Sequence, residues 1–372
     1  MKQKLDTRIR RRWLPSLLAA LMAALWLTAC GTAATTTPTT AAPTTTAAPT
    51  TTAAPETTAA PETTVAPTTT AAPETTGTPA DETPPAKPEV DRAGNAVEIP
   101  DEVRTIASLG PTYTQILEDL DSHDRLVAVS LDVEGISAPE DLPRIDMMNI
   151  DLEQLLALKP DVIIASDMSF MGGDTDPMQP LKDAGICILY LPTPTDFDGI
   201  REDVRFIAAA VDRAKEGEEL IETFDEQLER ITEVARTLEK KPRVLFEIAS
   251  APHIYSTGAG SYLDQMITTI GAENVLADET SWVPVTEEAA VALNPDVIFT
   301  NVTYEADPVG DILKREGWEQ VTAVKTEQVA FIDNNATSLA NTHVIEGMLA
   351  MGEVIAPELF GPLRGEFGLD KP

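Results

Sequence analysis

The sequence predicts an α/β fold of two similar lobes with mostly parallel sheets, joined by one long helix. Short apolar runs alternate with stretches of helical periodicity, a pattern typical of βαβ units and parallel sheets. A twelve-residue segment from the first half of the chain recurs in the second half. A long amphipathic stretch lies between the two copies, where it can join two related lobes.

The first predicted lobe begins with a turn and continues with short strands. Residues Val90–Ile99 place Asp-Arg-Ala-Gly-Asn between apolar positions, which indicates a hairpin. Gly110 and Pro111 end the first apolar run, and a helix is predicted near Thr114–Leu120. The predicted buried strands of this lobe are Thr105–Leu109, Asp161–Ala165 and Ile186–Leu191.

The internal repeat aligns Leu152–Ile163 with Glu287–Ile298, and seven of the twelve aligned pairs are identical. Each copy predicts a short helix that is ended by a proline and leads into a buried strand. A weaker match pairs the surroundings of Tyr113 with those of Tyr262. Two similar lobes follow from this repeat, although a common helix-and-strand pattern that recurs by chance is the alternative.

The stretch Ala214–Lys240 has apolar residues at helical spacing and charged residues on the other face. Pro242 prevents its continuation. A helix of this length is roughly 39 Å long, enough to run along both lobes and connect them once. Gly217 weakens the pattern, because glycine costs roughly 1 kcal/mol in a helix relative to alanine.

The chain is strongly acidic, with 61 acidic and 27 basic residues and a net charge of -34. Such a surface repels phosphate groups, so nucleic acid is excluded as a partner and a cationic ligand or basic protein is favoured. A solvated acidic coat is the alternative explanation. The two cysteines are far apart and predict neither a disulfide framework nor a metal site.

The first 29 residues predict a lipoprotein signal peptide. Residues 1–12 are basic and residues 13–29 are apolar, as in secretory signals. The sequence Leu-Thr-Ala-Cys-Gly that ends at Gly31 resembles the bacterial lipobox, which implies that Cys30 is acylated and becomes the mature N-terminus. The predicted location is therefore extracytoplasmic, with contact to the cell membrane through the lipid alone; an uncleaved apolar anchor is the alternative.

Residues 30–88 consist mainly of threonine, alanine and proline. Such a segment cannot bury a core, so a disordered tether with a reach of roughly 45 Å is predicted. Threonine–proline tracts also permit glycosylation. The predicted organisation is a signal peptide at 1–29, the tether at 30–88, an N-terminal lobe at 89–195, a connecting helical segment at 196–241 and a C-terminal lobe at 242–372.

Residues 90 to 360 resemble the iron-chelate and cobalamin class of periplasmic binding proteins, the substrate-binding proteins of ABC importers. The matching segments are Ile106–Pro111, Leu152–Asp161, Gly258–Asp264, Gly271–Val275 and Asn294–Ile298. The resemblance implies the helical-backbone form of the periplasmic-binding-protein fold, with a ligand between the lobes. It also implies a monomer that delivers its ligand to a membrane permease with a cytoplasmic ATPase.

In this family a glutamate on each lobe docks into basic pockets of the permease. Glu153 and Glu288 match that position, each seven residues before the proline of its repeat. Two carboxylates that meet two arginine clusters would fix the register of docking. A simpler role is the favourable placement of a carboxylate near a helix N-terminus.

Ligands of open α/β sheets bind beyond the carboxyl ends of the strands, so the loops after the strands supply the site candidates. Aromatic rings there could stack on a planar chelate or, alternatively, cap the lobe cores. Acidic residues there could receive a cationic ligand, or could simply be solvated. The candidates are Tyr113, Phe170, Tyr255, Trp282 and Tyr304 among the aromatic residues, Asp132, Glu134 and Asp167 among the acids, and His253 and Asn335.

The implied ligand is a metal chelate, namely a ferric siderophore, a corrinoid or haem, and no cofactor or resident metal is predicted. The three histidines are scattered, unlike the clustered ligands of a bare zinc or manganese site. No phosphate-binding loop, nucleophile elbow or His-Glu-x-x-His motif is present, so an enzyme is not predicted. A stalked adhesin or ligand sensor and a free metal-ion binding protein remain the alternative functions.

Overall fold

The computed structural model describes residues 86–133, 141–147, 149–167 and 176–369. The predicted signal peptide, Cys30, nearly all of the tether, Glu134 and Phe170 lie outside these residues. No helix within the described ranges is long and apolar enough to cross a membrane.

The N-terminal lobe contains a five-stranded sheet in the order β3-β2-β1-β4-β5. All four strand pairs are parallel, as predicted. The strands are β1 Ile106–Leu109, β2 Leu126–Ser130, β3 Arg144–Ile145, β4 Val162–Ser166 and β5 Cys187–Leu191. The helices are α1 Pro111–Asp119, α2 Leu152–Leu158 and α3 Gln179–Asp183, with a short 3-10 turn at His123–Arg125.

The predicted hairpin at Val90–Ile99 is a tight turn closed by an antiparallel bridge between Val90 and Ala96. The buried Asp91 carboxylate accepts hydrogen bonds from the Asn95 backbone at 2.8 Å and from the Tyr190 backbone at 3.1 Å. The Ala93 N–H donates to the Tyr190 carbonyl at 3.1 Å. The turn therefore pairs with the open edge of β5, an edge that would otherwise expose unpaired backbone groups.

The C-terminal lobe contains a four-stranded parallel sheet in the order β11-β10-β6-β8 and a separate antiparallel pair, β7-β9. The strands are β6 Arg243–Glu247, β7 Ile254–Thr257, β8 Glu273–Asn274, β9 Trp282–Val285, β10 Val297–Thr300 and β11 Val329–Phe331. The helices of this lobe are α6 Tyr262–Thr269, α7 Glu287–Leu293, α8 Pro308–Leu313, α9 Thr322–Lys325, α10 Asn335–Ser338, α11 Val344–Ile355 and α12 Pro357–Glu366.

The internal repeat folds in the same way in both lobes. The side chains of Asp151 and Thr286 cap α2 and α7 by accepting a backbone N–H three residues later. Both helices end in a residue with left-handed backbone, φ 50° at Lys159 and φ 45° at Asn294. The proline that follows prevents further helix, and each chain then enters a central strand.

The aspartate of each repeat copy ties that strand to its neighbour. The Asp161 carboxylate accepts the backbone N–H groups of Arg104 and Thr105, both at 2.9 Å. The Asp296 carboxylate accepts the N–H of Arg243 at 3.0 Å. The identical residues of the repeat therefore have equivalent structural roles, which confirms that the lobes are related.

The predicted connecting segment 196–241 contains two helices, α4 Phe197–Ala210 and α5 Ala214–Ala235. Phe197 of α4 packs in the core of the C-terminal lobe, whereas Ala208 near its other end packs in the N-terminal core. Helix α5 crosses in the opposite direction, from Ile221 in the N-terminal core to Ile231 in the C-terminal core. Helix α5 is therefore the predicted long helix between the lobes, and α4 packs antiparallel beside it.

The long helix α5 ends five residues before the predicted Lys240, and its 22 residues span about 33 Å. Gly217 lies inside the helix and is buried. A β-carbon at this position would overlap the β-carbon of Ala208 on α4. Glycine is therefore present because the two helices approach closely here, a reason that helix propensity alone does not reveal.

Candidate functional site

The outer face of the β7-β9 pair presents aromatic side chains. Tyr255 lies opposite Pro284, and Thr257 lies opposite Trp282, so these residues share one face of the two-stranded sheet. The opposite face, with Ile254 and Val285, is buried in the lobe core. This leaves Tyr255 41% and Trp282 40% exposed. Two of the predicted aromatic candidates are therefore brought together on one surface, which we call the aromatic face.

The aromatic face is held in place from behind. The ring of Trp282 meets the buried ring of Tyr262 edge to face, with centroids 6.3 Å apart and an interplanar angle of 75°. The hydroxyl of Tyr262 donates to the Thr337 carbonyl at 3.1 Å. Such edge-to-face pairs contribute about 0.5–1.5 kcal/mol beyond their buried area. Trp282 is thus oriented before any ligand arrives.

The aromatic face adjoins the carboxyl end of the central strand β6. The Ile248 N–H, one residue after β6, donates to the Tyr255 carbonyl at 2.9 Å. Tyr304 is 66% exposed in the loop after β10, and its hydroxyl accepts the Ser250 N–H at 2.9 Å. These contacts place Tyr304 beside the same edge of the sheet, where ligands of α/β proteins bind.

A buried ion pair at this edge was not anticipated from the sequence. Glu247, the last residue of β6, is 1% exposed and forms two hydrogen bonds with the Arg315 guanidinium at 2.8 and 2.9 Å. Arg315 also lies over the ring of Trp318, 4.5 Å from its centroid. The pair borders a cavity of about 230 Å³ lined by Glu247, Ser250, Ala251, Glu305, Pro308, Asp311 and Arg315. The sequence signal that could have indicated this pair is an acidic residue, Glu247, at the end of an apolar strand.

A polar network follows β10 at the same edge. The buried Asn301 amide donates to Thr337 Oγ1 at 3.0 Å and to Ser338 Oγ at 3.1 Å. Its backbone carbonyl accepts from the Asn334 amide at 2.9 Å. The predicted candidate Asn335 is exposed at the start of α10, next to this network.

In the N-terminal lobe, the Tyr113 ring is buried and therefore not accessible to a ligand. The side chain is 5% exposed, and its hydroxyl donates to the Leu191 carbonyl at 3.2 Å. Burial, together with the nearby Asp203, raises the pKa of the Tyr113 phenol far above its usual value. The prediction of a stacking ring is corrected here, because the third position of α1 points into the core. Tyr113 instead has the core-capping role that was the alternative.

The remaining candidates lie at the ends of their strands. Asp132 is exposed just after β2, and Asp167 is half-buried just after β4, at the carboxyl edge of the N-terminal sheet. His253 is exposed in the turn before β7, two residues from Tyr255. No group of three or more potential metal-binding side chains is found among the described residues.

The two docking candidates occupy equivalent surface positions. Glu153 and Glu288 are both exposed, each as the second residue of its helix, α2 or α7. Neither carboxylate has a hydrogen-bonding or ionic partner among the described residues. The repeat therefore presents the same free acid once on each lobe.

Comparison with known proteins places this architecture in a family. The model of the periplasmic binding protein family matches residues 106–336. An uncharacterised ABC transporter substrate-binding lipoprotein of Bacillus subtilis strain 168, YvrC, is 32% identical over 274 residues, which cover 73% of this chain and 86% of the relative.

Two further similarities agree with this match. A vitamin B12-binding protein of Vibrio campbellii is 27% identical over 198 residues, 53% of this chain and 70% of the relative. The crystal structure of a possible iron-binding (periplasmic solute-binding) protein from Staphylococcus epidermidis is 26% identical, with a TM-score of 0.62, and covers 69% of this chain and 100% of that one. This chain therefore belongs to the periplasmic binding protein family of substrate-binding proteins.

Proposed function

We propose that this chain captures a bulky metal chelate between its lobes and delivers it to the permease of an ABC importer. The carrying observation is the aromatic face, where Tyr255 and Trp282 lie exposed at the carboxyl edge of the C-terminal sheet. An exposed ring such as Trp282, which Tyr262 holds from behind, suits a large planar ligand, because little side-chain freedom is lost when it binds.

A corrinoid or a ferric siderophore fits this surface better than haem. The groups around the aromatic face include rings, amides and hydroxyls, from Tyr304, Asn335 and the Asn301 network. Such groups can contact the periphery of an organic ligand that already holds its metal. Among the described residues, His253 is the one imidazole near the face, so it could give a metal centre a single protein ligand.

Isothermal titration calorimetry with a panel of ligands tests the proposal. The panel comprises a cobalamin, a ferric hydroxamate siderophore, haemin, molybdate, a sugar and an amino acid. We expect tight binding of one chelate and weaker binding after Trp282→Ala. Leu359→Ala is the matched control, because this side chain is 38% exposed on α12, outside the aromatic face. Tight binding of the sugar, the amino acid or the bare oxyanion, with no chelate bound, would overturn the proposal.

We further propose that Glu153 and Glu288 dock the loaded protein onto the permease. Their equivalent, exposed and unpaired positions support this, since two carboxylates can address two basic pockets at once. Reversing both charges with lysine should abolish uptake in cells and leave ligand affinity unchanged. The same two reversals at Glu226 and Glu229, exposed on α5, form the control and should leave uptake intact. Normal uptake in the Glu153/Glu288 variant would refute the docking role.

Attachment to the membrane through Cys30 is the third part of the proposal. It is supported by the lipobox-like sequence before Cys30 and by the lipoprotein description of the Bacillus subtilis relative. Cys30→Ala should abolish incorporation of labelled palmitate and release the protein from membranes. Cys187→Ser, at the other cysteine, should change neither. Retention of the Cys30→Ala variant in membranes would refute the anchor.

A further inference from the structure

His343 lies between two carboxylates that belong to different lobes. It precedes α11 of the C-terminal lobe, and its Nε2 atom is 3.1 Å from both carboxylate oxygens of Asp119, at the end of α1 in the N-terminal lobe. Its Nδ1 atom is 3.0 Å from Glu346 Oε1, on its own helix α11. Each ring nitrogen therefore has an acidic partner, but only the partner Asp119 crosses between the lobes.

A second hydrogen bond crosses the same interface. The fully buried Asn341 amide donates to Gln115 Oε1 at 2.7 Å. Gln115 and Asp119 are four residues apart on α1, so they lie on one face of the helix. Asn341 and His343 are two residues apart, and the Asn341 side chain accepts the His343 N–H at 2.9 Å. The two contacts thus form one connected unit.

The surroundings of His343 favour its charged form. Burial disfavours the imidazolium, but the hydrogen bonds to Asp119 and Glu346 outweigh it and raise the pKa of His343 to about 10. The other side chains near it in an adjoining cavity of about 150 Å³ include Thr223 and Gln227 of α5, which carry no charge. The hydrogen bond from His343 lowers the pKa of Glu346 most, and the positive charge of Arg364 on α12 lowers it further.

We propose that His343, Asp119, Asn341 and Gln115 form a latch that fixes the angle between the two lobes before a ligand binds. The latch adds a side-chain connection between the lobes to the helical one through α5, whose Thr223 and Gln227 line the cavity beside His343. A charged hydrogen bond with 31% and 18% side-chain exposure at its two ends is partly shielded from water and salt. The latch acts on lobe geometry, so it does not depend on which ligand is bound.

The distance between the lobes provides the test. Ala157 and Ala292 are exposed, occupy equivalent positions of the repeat in α2 and α7, and can be replaced by cysteine. Nitroxide labels at these positions, in the full chain with Cys30 and Cys187 changed to serine, report the inter-lobe distance by pulsed electron paramagnetic resonance. Circular dichroism and the unfolding midpoint confirm that each variant is folded.

Two matched variants separate the latch from a simple charge effect. Asp119→Asn and Glu346→Gln each replace one of the two carboxylates that contact the His343 ring, but only Asp119→Asn breaks a contact between the lobes. We expect a single narrow distance distribution for the parent protein and for Glu346→Gln at neutral pH. We expect a distribution at least twofold wider for Asp119→Asn, and no further widening when His343→Gln is added to it.

The dependence on pH is an independent readout. Because the raised pKa keeps His343 charged up to about pH 10, the parent distribution should stay narrow through neutral pH and widen as the pH rises through about 10. The distance distribution of Asp119→Asn should be wide at every pH. Equal distributions for Asp119→Asn and Glu346→Gln, whether both narrow or both wide, would overturn the proposal.

Discussion

Replacing Gly217 by alanine tests whether helix propensity or the close packing of α4 against α5 determines the stability at this position. Helix propensity alone predicts that the change stabilises α5 by about 1 kcal/mol. In the structure, however, a β-carbon at position 217 would overlap the β-carbon of Ala208, and it would lie 3.7 Å from the Val204 carbonyl oxygen. Only the Ala208 contact is too close, so the clash concerns one pair of methyl groups between α4 and α5.

The expected change in the free energy of unfolding combines the cost of the methyl overlap with the gain in helix propensity. Overpacking of a well-packed core costs about 1–3 kcal/mol, and the gain in helix propensity offsets about 1 kcal/mol of that. We therefore expect Gly217→Ala to lower the free energy of unfolding by up to about 2 kcal/mol, measured by urea denaturation. In thermal unfolding, each kcal/mol corresponds to a lower midpoint of about 2–4 °C for a domain of this size.

The reverse substitution on the partner helix supplies the control. Ala208→Gly restores the space and should itself be destabilising by about 1 kcal/mol through helix propensity. The double variant exchanges alanine and glycine between the helices, so its stability should be close to that of the parent protein. Stabilisation by Gly217→Ala alone, or strictly additive effects in the double variant, would refute the close approach of α4 and α5 as the reason for Gly217.

Three further predictions concern stability. Phe224→Ala should cost about 3–5 kcal/mol in denaturant unfolding, because the ring is 1% exposed in the C-terminal core and meets Phe197 edge to face at 5.9 Å; no loss would contradict this packing. Asp161→Ala and Asp296→Ala should each cost about 1.5 kcal/mol, the lower end for a hydrogen bond to a charged group, and a loss at only one position would argue against equivalent roles. The raised pKa of His343 means that its contribution to stability is complete below about pH 6.5 and is lost as the pH rises through about 10; a His343→Gln variant should lack this component of the stability–pH curve.

Much of the fold was predictable because its determinants are local. The proline, the left-handed residue and the capping side chain that delimit α2 and α7 are separated by a few residues, so the repeat predicts both helices and the strands that follow them. The central strands β1, β4 and β10 are equally local, since each is a short apolar run, whereas the two-residue edge strands β3 and β8 carry no such signal. The periodicity of α5 also predicted its start at Ala214, and it overestimated only the C-terminal end.

The connections that the sequence did not predict depend on distant residues. The β7-β9 pair joins four-residue strands about 25 residues apart, and neither strand is distinctive alone. Glu247 and Arg315 are 68 residues apart, so their ion pair exists only through the fold. Helix α4 was included in the predicted connecting segment, but its bounds were not predicted, since its packing against α5 depends on contacts such as Phe197 with Phe224.

The candidate site was predicted in part. Tyr255 and Trp282 were predicted as loop residues, but the structure places them in β7 and β9, whose antiparallel pairing brings them onto one face. The prediction failed for Tyr113, since position on a loop does not determine which way a side chain points once a helix begins. The acid Asp132 and the half-buried Asp167 stay predictions, and their contribution depends on the ligand.

Native mass spectrometry of the protein purified without refolding tests the central claim most directly. If the chain captures a metal chelate on its aromatic face, the spectrum should contain the mass of one iron- or cobalt-containing chelate per protein. The same preparation of the Trp282→Ala variant should retain much less of it, whereas Leu359→Ala should retain it fully. A co-purified sugar or amino acid in place of a chelate, or equal chelate occupancy in the Trp282→Ala variant, would contradict the account.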